Sequence, residues 1–130
     1  MRFHILSIPI ALLMASTKVI ATYVTISTTI TLVIPFTSMT MVTNDGSKFE
    51  MTGSNDAVDG CRTNGVKDLE EFCMDTGRKR AHFKWKNQSF KRCLKQTSSS
   101  QKTCGGDEGC WEGVCQTCIN SRYDETPCTW

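Results

Sequence analysis

The sequence predicts a small disulfide-rich α+β domain, with one short helix packed on a β-hairpin or small antiparallel sheet and a loop-rich, disulfide-stapled C-terminus. Three observations predict it. All eight cysteines of the 130-residue chain lie between Cys61 and Cys128. Apolar residues recur at helical spacing after Asn64, and apolar and polar residues alternate from Ala81. So short a chain cannot assemble a large core, and cross-links are expected to supplement it.

The helix is predicted between Asn64 and Gly77. Apolar residues recur there at spacings of three and four, at Val66, Leu69, Phe72 and Cys73. Asn64 can cap the first backbone N–H groups, acidic residues follow near the positive end of the helix dipole, and Gly77 can end the helix. We therefore expect a helix whose buried face carries Cys73.

A β-hairpin is predicted next along the chain. Ala81, Phe83 and Trp85 alternate with His82, Lys84 and Lys86, which is the pattern of a half-buried strand. Residues 87–89 suit a turn and residues 90–95 a returning strand. Ser98 to Ser100 marks a loop, and little regular structure is expected from Cys104 onward, where glycines and cysteines dominate.

The N-terminus predicts export. Met1, Arg2 and His4 form a short basic region, residues 5–15 are an apolar run of the length that a signal peptide uses, and Val19-Ile20-Ala21 suits a cleavage site. Residues 1–21 are therefore interpreted as a signal peptide, and the mature chain is expected to begin at Thr22. The predicted location is secreted and extracellular.

Residues 22–60 contain no cysteine and are rich in hydroxyl side chains. Ten of the twenty-two residues from Thr22 to Thr43 are Ser or Thr. The β-branched residues suit N-terminal strands of the fold, with a turn at residues 44–47, whereas the hydroxyl density also suits a pro-segment or an O-glycosylated leader. Both interpretations stay open, and residues 61–130 are predicted to form the disulfide-stapled domain.

The cysteines predict disulfides and no metal site. In an exported protein an even set of thiols favours four disulfide bonds over zinc ligation. Eight cysteines allow 105 pairings, so the spacing does not assign the connectivity. The disulfide-forming residues are Cys61, Cys73, Cys93, Cys104, Cys110, Cys115, Cys118 and Cys128.

Positive charge is concentrated in one segment. Residues 78–102 carry nine Lys or Arg and no acid, whereas residues 44–77 carry eight acids and three bases. An aromatic-bearing basic hairpin suits an anionic partner; alternatively, its bases pair with acids of the same domain. The residues predicted to bind, called the basic surface below, are Arg78, Lys79, Arg80, Lys84, Lys86, Lys91, Arg92 and Lys95. Lys79-Arg80 also resembles a dibasic processing site.

Two further patterns concern modification and catalysis. Asn87-Gln88-Ser89 is an N-glycosylation sequon at the predicted hairpin tip, so Asn87 is a candidate glycan acceptor. His82 is the one histidine left after removal of the signal peptide, and the sequence contains no nucleophile, zinc-protease or phosphate-loop motif. We therefore expect no enzymatic activity and no cofactor.

The layout of the chain resembles the small secreted cysteine-rich proteins of fungi, including candidate effectors of plant-associated species. The features shared are the signal peptide, the small size, the even cysteine set and the dibasic site. The resemblance implies a non-enzymatic, toxin-like protein that binds a host or extracellular protein, an anionic glycan or a membrane. The alternatives are an antimicrobial membrane-active protein and a secreted inhibitor or glycan-binding protein. A monomer is expected, with no nucleic-acid partner.

Overall fold

A computed structural model describes residues 21–31, 35–51, 58–104, 110–111 and 114–130. Residues 1–20 of the predicted signal peptide lie outside the described residues. The described residues contain no helix, and so they include no helical segment that could span a membrane. The strands are β1 (Tyr23–Ile30), β2 (Pro35–Val42), β3 (Lys48–Glu50), β4 (Gly60–Arg62), β5 (Leu69–Asp75), β6 (Arg80–Trp85), β7 (Arg92–Cys104), β8 (Cys110–Trp111) and β9 (Val114–Thr126).

The strands form one curled, half-barrel antiparallel sheet. Its order is β3-β2-β1-β9-β7-β6-β5-β4, and β8 pairs with the beginning of β9. The core lies on the inner face of the curled sheet, where strands from its two halves meet. Their buried side chains form one cluster: Val24, Ile26, Met39, Met41, Met51, Val66, Leu69, Phe72, Met74, Ala81, Phe83, Leu94 and Tyr123. Four of these are methionines, whose flexible side chains fill irregular space between curved strands.

Residues 22–60 contribute three strands to this sheet. β1 pairs with β2 on one side and with β9 on the other, so it occupies an interior position. Val24 and Ile26 alternate with polar neighbours and point into the core beside their register partners Met41 and Met39. The β-branched residues of this segment therefore lie in a setting that suits their strand propensity. That this segment is removed during maturation stays a prediction.

The predicted helix is wrong, because Leu69–Asp75 forms strand β5 between β4 and β6. The spacing of three between buried Leu69 and buried Phe72 has a different origin. A register shift between Leu69 and Glu71 places an extra residue in the strand, so that Glu70 and Glu71 are both exposed. A β-bulge therefore imitates a helical repeat over one turn. The α+β class is corrected to all-β.

The predicted loop-rich C-terminus is also wrong. β7 and β9 are strands of thirteen residues each, and they pair along most of their length. Ser98 to Ser100, predicted as a loop, lies inside β7 opposite Arg122, Ser121 and Asn120. The absence of apolar alternation concealed these strands, because their outer parts do not cover the core.

Two local predictions are confirmed. The hairpin is present: β6 pairs with β7 from Arg80 opposite Lys95 to Phe83 opposite Arg92, and Ala81 and Phe83 are buried. The turn predicted at residues 44–47 joins β2 to β3. Gly46 adopts φ 85°, and Asp45 Oδ1 accepts hydrogen bonds from the Ser47 N–H and the Thr43 hydroxyl. These bonds lower the pKa of Asp45, with the Thr43 bond as the largest cause.

Candidate functional site

Disulfides surround the predicted basic hairpin. Cys61 bonds to Cys73 directly opposite it in the β4–β5 pair, with a Cα–Cα distance of 4.0 Å. Cys93 of β7 bonds to Cys128, which ties the tail after β9 to the hairpin. Disulfide bonding and cysteine richness are thus confirmed. A third bond joins Cys104 to Cys118, and Cys115 is disulfide-bonded as well.

The outer face of the sheet carries a row formed by two disulfides and a histidine. His82 of β6 lies opposite Cys73 on one side and Cys93 on the other. Its Nε2 atom lies 3.0 Å from Glu71 Oε1. Cys61, Cys73 and Glu71 come within 4.8 Å of one another, but both sulfur atoms are used in the disulfide, which leaves no thiolate ligand for a metal.

Four members of the basic surface are paired with acids. Lys84 Nζ lies 3.0 Å from Glu70, and Arg78 and Arg80 lie 3.8 and 3.7 Å from Asp75. The acids that the sequence analysis placed on a helix therefore neutralise bases on the neighbouring strand. Because these pairs are partly exposed, each is expected to contribute little stability.

The fourth pair is more enclosed than the other three. Arg92 donates two hydrogen bonds to Glu125, at 2.5 and 2.6 Å, and its guanidinium lies over the Phe83 ring at 5.1 Å. Both side chains of the ion pair are about one-fifth exposed. Arg92 therefore links β7 to β9 and covers the edge of the core. We assign it a structural position within the basic surface.

The other four members have no acidic partner among the described residues. Lys79, Lys86, Lys91 and Lys95 are all exposed. Lys79 lies in the β5–β6 turn with φ 54°, and Lys91 Nζ donates to the Trp130 backbone oxygen at 2.5 Å. These four lysines form no salt bridge to an acidic side chain among the described residues, although Asp124 lies opposite Lys95 in the β7–β9 register. They are the part of the basic surface that can attract an anion from solution.

A cleft lies on the outer face beside one of these cations, Lys91. Its volume is about 310 Å³, and Arg80, His82 and Lys91 line it together with Asp75 and Trp130. The Arg80 guanidinium lies over the Trp130 ring at 5.4 Å. Sequence reasoning missed the place of Trp130, because the Cys93–Cys128 bond that brings the tail to β6 cannot be read from spacing.

Arg122 and Asp124 of β9 form an ion pair on the outer face of the sheet. Arg122 Nε donates to both carboxylate oxygens at 2.9 and 3.0 Å, and its guanidinium lies 3.8 Å from the centre of the Tyr23 ring. The hydrogen bond from Arg122 is the largest cause that lowers the pKa of Asp124, and the same bond raises the pKa of Arg122. Asp124 also accepts a hydrogen bond from Thr97.

Asn87 lies in the turn between β6 and β7, as predicted, and is exposed. Gln88 N–H donates to the Trp85 carbonyl at 3.0 Å, which closes a β-turn with Lys86 and Asn87 at its centre. A second cleft, of about 390 Å³, begins beside this turn. Its lining comes from three separate parts of the chain: Thr43, Asn44, Asp45, Phe49, Lys67, Asp68, Trp85, Asn87, Gln88 and Arg92.

Comparison with known proteins adds no relative to this description. No protein-family model matches the chain, and no curated protein and no solved structure matches it. Function is therefore inferred from the geometry of the basic surface and of the two clefts.

Proposed function

We propose that this chain is a secreted, non-enzymatic, effector-like binding protein that contacts an acidic host or extracellular protein through the basic surface. The multiple disulfides are consistent with an extracellular protein. Cleavage after Ala21 would also be compatible with the fold. The Thr22 nitrogen lies 3.3 Å from Glu125 Oε2, so the new α-ammonium group would gain a carboxylate partner.

One observation carries the proposal: Arg80 and Lys91 line one cleft together with the Trp130 indole, and the exposed Lys79 and Lys95 adjoin Arg80 in the chain and in the sheet. Lys95 lies opposite Arg80 in the β6–β7 register, so both belong to the same row of the sheet. An acidic side chain entering this cleft would meet Lys91 and, in competition with Asp75, Arg80, beside an aromatic wall. Interfaces favour this combination of Arg and aromatic residues.

The experiment compares two double variants that remove the same charge. K79Q/K95Q changes the proposed contact, whereas K48Q/K102Q changes two exposed lysines elsewhere on the sheet. Immobilised heparin serves as a polyanion that locates the attractive surface. We expect the first variant to weaken heparin binding on the order of tenfold, and to elute at lower salt, because two exposed ion pairs are lost.

The control variant keeps near-normal binding if the position of the charge matters. Equal weakening by both variants would contradict a localised contact surface and leave only a general charge effect. Vesicles containing anionic phospholipid are tested in parallel for dye leakage. Leakage at protein concentrations that saturate heparin would favour the membrane-active alternative over a protein partner.

A further inference from the structure

The second cleft combines an aromatic wall with groups that hydrogen-bond. Trp85 and Phe49 pack partly against the core and also line the cleft, while Asp68, Lys67 and Gln88 provide acceptors and donors beside them. A saccharide ring has one face rich in C–H groups and a rim of hydroxyls. Its C–H face can therefore pack on the aromatic side chains while its hydroxyls form hydrogen bonds with the polar ones. The volume of about 390 Å³ lies at the small end of the range for ligand sites.

The residue that would carry a glycan, Asn87, lines the same cleft. Asn87 is the sequon asparagine, it is exposed at the centre of the turn, and it follows Trp85 by two residues. A sugar attached to Asn87 therefore begins within the cleft, and its effective concentration there is far above that of a free sugar. Gln88 Oε1 is buried and has no hydrogen-bond donor within the described part of the chain.

We propose that the first N-acetylglucosamine of a glycan on Asn87 docks in this cleft, with its C–H face against the Trp85 indole and its acetamido N–H donating to Gln88 Oε1, which rotates out of its buried position toward the cleft. The docking rests on the export named in the proposed function, because the glycan is added in the secretory pathway. There Asn87 Nδ2 forms a bond to C1 of the oligosaccharide. The C1–O bond to the lipid pyrophosphate donor breaks, the lipid pyrophosphate leaves, and Asn87 Nδ2 loses a proton.

The docked sugar would close the hairpin loop onto the sheet. Trp85 contacts Phe83 edge-to-face, with 6.0 Å between ring centroids, packs partly against the core and also lines the cleft. Covering the part of the indole that lines the cleft removes apolar surface from water. The glycan is therefore expected to stabilise the fold through Trp85, beyond any general effect of a bulky group.

The experiment is a double-mutant cycle on protein secreted from yeast. Intact mass first establishes occupancy of Asn87, and an endoglycosidase then trims the glycan to one N-acetylglucosamine. Urea unfolding compares four proteins: the trimmed wild type, the unglycosylated S89A variant, trimmed W85L, and W85L/S89A. We expect the sugar to raise the folding equilibrium constant roughly twofold to tenfold with Trp85 present, in the range of one aromatic contact, and to have no such effect in W85L.

A second measurement does not depend on the folding of W85L. In the trimmed wild type, the acetamido methyl protons should shift upfield in the NMR spectrum and show cross-relaxation with indole protons. Absence of both effects, or equal stabilisation by the sugar with and without the W85L substitution, would overturn the docking. So would an unmodified Asn87 in secreted protein that begins at Thr22.

Free and attached sugars share this chemistry, so they are separated by adding N,N'-diacetylchitobiose to S89A. Saturable binding of the free sugar, together with no coupling for the attached one, would overturn the assignment to the Asn87 glycan. Heparin elution of S89A should equal that of the wild type. Failure of the docking is thereby distinguished from failure of the basic surface, which the lysine variants test alone.

Discussion

Along the direction of its strands, the sheet has two ends that are stabilised in different ways. At the core end, side chains such as Phe72, Phe83 and Leu94 are fully buried between the curled strands. The other end, called the hydroxyl end, comprises residues 27–30 of β1, 35–38 of β2, 98–104 of β7 and 117–121 of β9, which pair beyond the core. Ile30 and Phe36 are 40% and 50% exposed there.

Hydroxyl pairs take the place of apolar packing at the hydroxyl end. Ser27 Oγ donates to Asn120 at 2.7 Å, the Thr28 and Thr37 hydroxyls lie 3.0 Å apart, and the Ser121 hydroxyl donates to Ser99 at 3.2 Å. Each such cross-strand pair contributes only about 0.2–1 kcal/mol. The Cys104–Cys118 disulfide also joins two strands there. An end of a sheet can thus be extended without an interior, provided that cross-strand bonds hold it.

The largest expected effect breaks the core end. Phe83→Ala removes a ring that is fully buried and contacts both Trp85 and Arg92. We expect the free energy of unfolding to fall by about 3–5 kcal/mol, because a cavity is left in a packed interior. Urea unfolding followed by tryptophan fluorescence measures this loss. A loss similar to that of Ile30→Ala, at the exposed hydroxyl end, would contradict the contrast between the two ends.

A second prediction compares disulfides that close loops of similar length. The Cys104–Cys118 and Cys61–Cys73 bonds have sequence separations of 14 and 12. Replacing either pair by serine should lower the free energy of unfolding by about 3 kcal/mol through loop entropy. Amide hydrogen exchange should separate them. Without Cys104–Cys118, the hydroxyl end should lose protection by local opening, whereas β5 and β6 should keep theirs without Cys61–Cys73.

Equal exchange patterns in these two variants would show that both ends open together. The oxidised wild type is the reference for protection from exchange. The wild type with all its disulfides reduced gives the largest expected loss of protection. The comparison therefore tests whether the core alone keeps the neighbouring strands paired.

The smallest effect concerns the junction of the two ends, where Arg122 holds Asp124. The pKa of Asp124 is lowered in the folded protein, so its ionised form contributes stability above the unfolded value of about 3.9. That contribution is lost as pH falls through the folded pKa. The D124N variant lacks it, and its stability should change less with pH below about 4. Parallel pH profiles for D124N and the wild type would contradict this role.

The sequence predicted some strands of this fold but not others, for physical reasons. The β6 strand was predictable because Ala81, Phe83 and Trp85 border the core and alternate with charged residues. Bulged β5 was not, because the extra residue between Leu69 and Glu71 changes a period of two into a spacing of three. The outer part of β7 carries polar side chains on both faces, and that of β9 mixes polar residues with Cys118 and Ile119, so no periodicity marks them as strands.

The candidate site was predictable in its charge but not in its partners. The run of bases from Arg78 to Lys95 is visible in the sequence, and the glycan acceptor Asn87 is visible as a short motif. The clefts are not visible, because Trp130 and Lys67 reach them from distant parts of the chain. Such convergence depends on strand order and disulfide connectivity, and a single sequence specifies neither by spacing.

The disulfide connectivity has a consequence for a chain cut at Lys79-Arg80. Cys61 bonds to Cys73 before this turn, and every other cysteine of the chain lies after it, so no disulfide crosses the cut. In the sheet, however, β9, β7 and β6 lie between β3-β2-β1 on one side and β5-β4 on the other. A nicked molecule would be a heterodimer whose first chain flanks the second on both sides. Strand pairing and the shared core would join the two chains, so denaturant would separate them without a reducing agent.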